Sequence, residues 1–257
     1  MSARTTLTGF NTLVLREYGR IVRIWGQTIV PPGITAALYF VIFGSLIGRR
    51  IGDMGGYTYM QYIAPGLIMM SVITNSYGNV VSSFFGAKFG KHIEELLVSP
   101  LPNWIIVCGY MSGGILRGLI VGGVVTAISL FFTDMHVAHW GIVISAVLLT
   151  SIVFSLAGMI NAVFAKNFDQ VSMVPTFVLT PLTYLGGVFY SIDMLPDWAR
   201  AISHANPILY MVSSFRYGFL GVSDVNMMVA YSIMIGAAAS LFVVCFWLMN
   251  KGVGMRE

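Results

Sequence analysis

The side chains able to move a proton near neutral pH are few in this sequence and badly placed for catalysis. Four histidines occur, His92, His136, His139 and His204, and each falls in or beside a polar stretch between apolar runs. Hydrolase, protease or acyltransferase chemistry needs an acid and a base held at one depth. The apolar runs hold neither a histidine nor a carboxylate. The same lack argues against a proton- or sodium-driven carrier, which usually sets an acidic residue inside its spans. Cys108 and Cys245 stand far apart in apolar runs. With no Cys-x2-Cys pair and no Cys/His cluster, neither a disulfide framework nor a metal site is expected. A Gly-x4-Gly-Lys-Ser/Thr loop is missing too, so the chain is not expected to bind ATP through a P-loop. What remains is a conduit without a motor, with nothing that points to nucleic acid.

One charge lies deep in an apolar run. Arg117 falls about 18 Å along a helix begun at Ile105, near mid-bilayer depth. Placing arginine there costs about 2.5–3.5 kcal/mol on insertion scales, and no carboxylate shares the runs. Its partners must be carbonyls, hydroxyls, water, or an anionic group from lipid or cargo. It is therefore a cargo-path candidate beside a purely structural reading. Around it Gly114, Gly118 and Gly122 repeat at four-residue spacing, and Gly44 with Gly48 does the same. Small residues so spaced let helix backbones approach closely, within one chain or across a dimer.

Two polar stretches carry more information. The first runs Lys88-Phe-Gly-Lys91-His92-Ile93-Glu94-Glu95-Leu96-Leu97-Val-Ser-Pro100. Pro100 and Pro102 should end a short helix near Val98, since proline disfavours helix in the residue before it. A charged tip with one apolar edge suits docking on another protein, and composition alone equally allows a solvated turn. The second stretch spans 174–221. Pro175 and Pro181 interrupt an apolar run, followed by Tyr184, Phe189 and Tyr190, then Leu195, Pro196 and Trp198, then Asn206, Pro207, Tyr210 and Arg216. Irregular backbone at membrane depth is tolerated only inside protein or along a wet cavity. These breakers and a half-length apolar segment predict a re-entrant external gate, with the aromatics also serving as an interfacial belt.

The elements that must position these residues follow from composition. The chain has 257 residues, 57% hydrophobic and 9% charged, against about 25% charged in soluble domains. That excludes a soluble enzyme. An all-α integral membrane protein is expected, because a bilayer core near 30 Å needs about 20 helical residues per crossing. Six spans fit: 28–48, 62–85, 105–132, 140–164, 171–190 and 227–249. The first run starts behind Arg4, Arg16, Arg20 and Arg23 and is too long for a cleaved leader, so it reads as a retained span.

Placing the N-terminus inside collects those four arginines with Lys88, Lys91, Lys166, Lys251 and Arg256. Arg49, Arg50, Arg200 and Arg216 fall outside. That asymmetry sets both termini in the cytoplasm. Residues 1–27 form a cytoplasmic amphipathic segment, 28–249 the bundle and 250–257 a tail, all one domain. In the first segment Leu7, Phe10, Val14, Tyr18, Ile21 and Trp25 share a face and Arg16, Arg20 and Arg23 another. That is the pattern of an interfacial helix with its cations toward anionic membrane lipids.

Taken in register, these motifs resemble the permease subunit of type-2 ABC transporters, bacterial exporters of drugs, polysaccharides and nodulation factors. The resemblance covers nearly the whole length. It is densest at 84–102 with Glu94-Glu-Leu-Leu and Ser99-Pro, at 113–121 with Leu116-Arg-Gly-Leu, and at 181–221 with Leu185-Gly-Gly-Val-Phe-Tyr, Leu195-Pro, Asn206-Pro and Arg216. It implies a homodimer in the bacterial inner membrane with two copies of a separate ABC ATPase, which would bind the ATP and Mg. It makes Lys91–Leu97 the coupling helix, 7–25 the connecting helix and 192–210 the external re-entrant part. The implied activity is export of an amphipathic or lipid-linked cargo by alternating access. The residues alone also allow an ATP-independent channel or secondary carrier.

Overall fold

A computed structural model describes residues 3–48 and 52–254. Arg49, Arg50 and Arg256, three of the cations used to orient the chain, lie outside the described residues. Helices α1 (Ala3–Arg23) and α2 (Trp25–Tyr39) meet at Ile24, whose φ of −106° and ψ of 28° break the regular ladder. Helix α2 carries Pro31 and Pro32 and widens into a π-helix over Phe40–Ile47. Proline has no N–H to give the preceding turn, and wider turns are one way a helix adjusts.

Short strands β1 (Asp53–Met54) and β2 (Tyr57–Thr58) then pair antiparallel. Gly55 and Gly56, at φ of 60° and 84°, supply the two left-handed positions that such a tight turn needs. This two-residue pairing is the one strand ladder among the described residues of an otherwise all-helical chain. It leads directly into α3 (Tyr59–Phe89). There the Thr58 hydroxyl accepts from the Gln61 N–H and the Gln61 side chain accepts from the Thr58 N–H, a capping box that fixes the helix start.

Helix α4 (His92–Val98) follows a reversal in which Lys91 takes φ 59°. Helices α5 (Asn103–Ser129) and α6 (Trp140–Phe164) run back along α3. The expected fifth span is not one α-helix. It consists of α7 (Phe168–Val174), a π turn over Pro175–Leu179 and α8 (Thr180–Tyr184). The Thr180 N–H and its hydroxyl both reach the Pro175 carbonyl, the latter at 2.9 Å, and the Val171 carbonyl, which Pro175 has no N–H to meet, accepts from the Asn161 side chain at 3.0 Å. A 3₁₀ turn (Ile192–Met194), α9 (Asp197–His204), α10 (Pro207–Leu220) and α11 (Met227–Lys251) complete the chain.

Among the described residues four stretches are long and apolar enough to cross a membrane: Trp25–Gly44, Asn103–Ser129, Trp140–Phe164 and Met227–Lys251. Helix α3 is longer than any of them but more polar, with Thr74, Asn75, Ser76, Asn79, Ser82 and Ser83 along it. It nevertheless holds the centre, packed by α5 and α6 on its long sides and by α10 near one end. Lipid tails are as apolar as leucine, so helices in a bilayer associate by close packing and polar bonds. A polar central helix is consistent with that.

Helix α1 does not project away from the bundle. It packs along α5, with Leu13 against Gly109 and Glu17 against Gly113. The hydrophobic pattern put Leu7, Phe10, Val14, Tyr18, Ile21 and Trp25 on one face. The folded helix buries Leu13, Glu17 and Ile21 and leaves Leu7, Tyr18 and Trp25 exposed. A buried stripe centred on a glutamate is invisible to a hydrophobicity pattern.

Candidate functional site

At one end of the bundle, α4 forms a seated, outward-facing tip. Ile93 is its peg, fully buried in the core, while Leu96 and Leu97 rest half-buried against it. Lys91, His92, Glu94 and Glu95 are exposed, and Val98 is 87% exposed. The helix stops there because Ser99 turns extended ahead of Pro100, and the Ser99 hydroxyl donates to the Leu96 carbonyl at 2.6 Å. Lys91 in the left-handed region costs about 1–2 kcal/mol, and it sets the reversal between α3 and α4.

The base under the tip is firm. Lys88 Nζ donates to the Val163 and Ala165 carbonyls at 2.7 and 2.8 Å, joining α3 to the end of α6. Phe85 and Phe89 pack on Phe168 with ring centroids 5.0 and 5.2 Å apart. A cavity of about 250 Å³ opens between them, bordered by Lys91, Glu94 and Lys166. A short helix carrying both charge signs on a rigid seat can transmit a push from a partner into α3 and α6.

The mid-bundle cation is lightly held. Arg117, half-buried, donates through Nε to Asn75 Oδ1 at 3.3 Å and has no ion pair among the described residues. The glycines beside it face the chain's own helices. A side chain on Gly114 would meet Ser155 and Val80, one on Gly118 would meet Ser76 and Ser151, and one on Gly122 would meet Val72. They therefore let α5 approach α3 and α6. The hydroxyls of Ser76, Ser151 and Ser155 are buried there without a hydrogen-bond partner.

Helix α1 brings in a carboxylate that the apolar runs lack. Glu17, 1% exposed, accepts from the Ser83 hydroxyl at 2.6 Å and pairs with Arg20 at 3.2 Å and Arg16 at 3.5 Å. Arg20 also donates to Asn79 Oδ1 at 2.7 Å and to the Asn79 carbonyl at 3.0 Å. The Arg16 guanidinium lies 5.0 Å over the Tyr110 ring. Carboxylate-free spans are thus not a carboxylate-free bundle, and that ground for excluding an ion-driven carrier does not stand alone.

At the other end the irregular segment is knotted together by Arg216. Counted by sequence among the outer charges, it is only 1% exposed. It pairs with Asp224 at 2.9 Å, donates to the Gly187 carbonyl at 2.5 Å and to the Tyr62 carbonyl at 3.3 Å, and lies 4.0 Å over the Tyr62 ring. Tyr62 and Ser191 hydroxyls also donate to Asp224, each at 3.2 Å. One buried guanidinium thereby joins α3, the loop after α8, α10 and the loop before α11.

The remaining residues of the expected gate attach around this knot. Asn206 caps α10 by accepting from the Ile208 N–H at 3.0 Å and ties it to α8 by donating to the Leu182 carbonyl at 2.5 Å. Pro207 takes the first helical position, where its missing N–H is not needed. The Tyr210 hydroxyl donates to the His204 carbonyl and that of Tyr190 to the Tyr184 carbonyl, both at 2.8 Å. Phe189 stacks with Tyr184 at 5.6 Å and with Phe43 at 5.1 Å. Leu195 precedes Pro196, which caps α9, and Trp198 stands exposed on that helix.

Glu17, Asn75, Asn79, Ser191 and Asp224 were not singled out by sequence. A signal existed for two of them: Glu17 lies three residues before Arg20, and Asp224 eight after Arg216. Sequence distance gives no hint of the others. Among the described residues no group of histidine, cysteine and acidic side chains could hold a metal ion.

A bundle of long apolar helices with a charged, outward-facing tip at one end and a knotted opposite end defines a membrane protein. Residues 8–220 match the family model described as ABC-2 type transporter, and the chain belongs to that family. It is 58% identical over 242 residues to the inner membrane transport permease YadH of Escherichia coli strain K12, covering 94% of each chain. It is 24% identical to Nodulation protein J of Neorhizobium galegae over 196 residues, 74% of each. With Nodulation protein J of Sinorhizobium fredii it shares 26% identity over 204 residues, 78% of this chain and 75% of that one. As a permease component the chain is not itself a catalytic enzyme, and the family implies an ABC ATPase partner.

Proposed function

We propose that this chain is the membrane-spanning subunit of an ATP-driven exporter in a bacterial inner membrane. Two copies would pair with two copies of a separate ABC ATPase, which would bind the ATP and Mg. The cargo would be amphipathic or lipid-linked: a lipid, a glycan on a lipid carrier, or a hydrophobic drug. Helices α2, α3, α5, α6, the rod 168–184 and α11 would make six crossings, with both termini cytoplasmic. ATP-driven closure of the ATPase pair would push α4, and the push would pass through Ile93, Lys88 and the Phe85–Phe168 contact into α3 and α6. That would switch a cavity between the two copies from inward- to outward-facing, with Arg117 and the aromatics Tyr184, Phe189 and Tyr190 along the cargo path and the Arg216 knot at its outer end.

The observation that carries this reading is α4: a helix held by one buried residue, with four charged or polar side chains and Val98 turned outward. The similarity to an inner membrane transport permease supports transport across that membrane. The test is a mild-detergent pull-down of tagged chain from its native membrane, with stoichiometry and ATP hydrolysis measured on the eluate. A near-equal amount of an ATPase is expected. A clean homodimer without ATPase, in repeated gentle extractions, would replace this reading with an ATP-independent channel or carrier.

A further inference from the structure

Between α1 and α3 lies a cavity of about 460 Å³ bordered by Leu15, Arg16, Glu17, Arg20, Arg23 and Ser83. Three cations face one carboxylate there, and that carboxylate is already engaged. Glu17 spends its oxygens on Ser83, Arg16 and Arg20. Arg20 Nε is buried without a partner. Arg23 is exposed and makes no hydrogen bond or ion pair among the described residues. The cavity therefore holds two positive charges in excess, and the exposed Arg23 guanidinium keeps its N–H groups free to donate. Guanidinium forks match the paired oxygens of phosphate.

The surroundings specify what carries the phosphate. Leu15, which borders the cavity, is 67% exposed, and Val22 further along α1 and Trp25 at the start of α2 are also exposed. A cationic pocket continuous with bare apolar side chains complements a molecule with an anionic head and hydrocarbon tails. The volume lies within the range of about 300–1,000 Å³ usual for small-molecule sites.

We infer that this cavity binds the phosphate headgroup of an anionic membrane lipid, held by Arg16, Arg20 and Arg23, with its acyl chains along Leu15, Val22 and Trp25. The site would hold a resident lipid at the α1–α3 joint. The inference goes beyond the export reading and needs only that the chain sits in a bilayer, so it can fail while that reading stands.

The test is native mass spectrometry of the full chain in nonionic detergent, titrated with phosphatidylglycerol or with phosphatidylcholine. The parent should retain phosphatidylglycerol in preference. Loss of one cation near a membrane surface weakens anionic-lipid binding about fivefold, so R23Q should do that and R16Q/R23Q about 25-fold. R23K, which keeps the charge and loses the fork, should lose less than R23Q. Because Arg23 holds nothing within the chain, R23Q should keep the parent's elution volume and melting temperature. Equal retention of the two lipids by the parent would overturn the inference, as would unchanged phosphatidylglycerol binding in R16Q/R23Q. Displacement of the lipid by excess inorganic phosphate would overturn it in favour of a free-anion site.

Discussion

Replacing Asp224 by Asn tests whether the knotted end is held by its ion pair. The substitution keeps the side chain's size and removes its charge, leaving the Arg216 guanidinium 1% exposed and unneutralised. Removing one partner of a buried pair costs about 3–5 kcal/mol. The structure argues for a value at or below the bottom of that range, because Arg216 keeps the Gly187 and Tyr62 carbonyls and the Tyr62 ring. The Asp224 side chain is also 14% exposed, so water reaches it. A loss of about 2–3 kcal/mol results, in line with one hydrogen bond to a charged group. For a chain of this size about 1 kcal/mol moves the melting temperature about 2–4 °C, so D224N should melt about 4–12 °C lower. The assay is thermal unfolding in detergent, followed by the monodisperse fraction on size exclusion, with R216M and R216M/D224N alongside. Removing both charges should cost less than the sum of the single losses by at least about 1 kcal/mol, since the second removal abolishes the stranded charge. If D224N melts with the parent, or the double variant is additive, the knot does not hold this end together.

Three further outcomes are expected. G118A should destabilise the chain by about 1–3 kcal/mol, because its new methyl would meet the hydroxyls of Ser76 and Ser151, whereas G123A, with open space around it, should melt like the parent in the same assay. E94K/E95K should reduce the ATPase recovered in the pull-down at unchanged melting temperature, since both carboxylates are exposed and make no ion pair among the described residues; an unchanged yield of complex would remove α4 as the docking tip. R117A loses one long hydrogen bond, about 1 kcal/mol, so it should fold and keep basal ATP hydrolysis in the complex while losing stimulation by an anionic amphipathic cargo; intact stimulation would make Arg117 structural.

What the sequence determined by itself were the properties set by composition and local chemistry. The scarcity of charge required a bilayer, because too few polar side chains exist to wet a globular surface. Pro100 and Pro102 dictated where α4 stops, and Pro175 and Pro181 foretold that the fifth apolar run would not be a plain α-helix. The spacing of Gly114, Gly118 and Gly122 announced a close helix contact but not its partners, which proved to be α3 and α6 of the same chain.

Tertiary structure decided every pairing between distant residues. Asp224 neutralises Arg216, Asn79 and Ser83 receive the α1 charges, and Lys88 caps α6, contacts that depend on how helices cross. Helix α1 shows the limit most clearly. Its hydrophobic pattern implied a helix lying on the membrane, with cations turned to lipid. What that pattern gave no sign of is a buried side: glycines at 109 and 113 admit Leu13 and Glu17, and the carboxylate tolerates burial because arginines and a serine come to it from two helices. A charge can be buried where partners converge on it, and that convergence is a property of the assembled bundle.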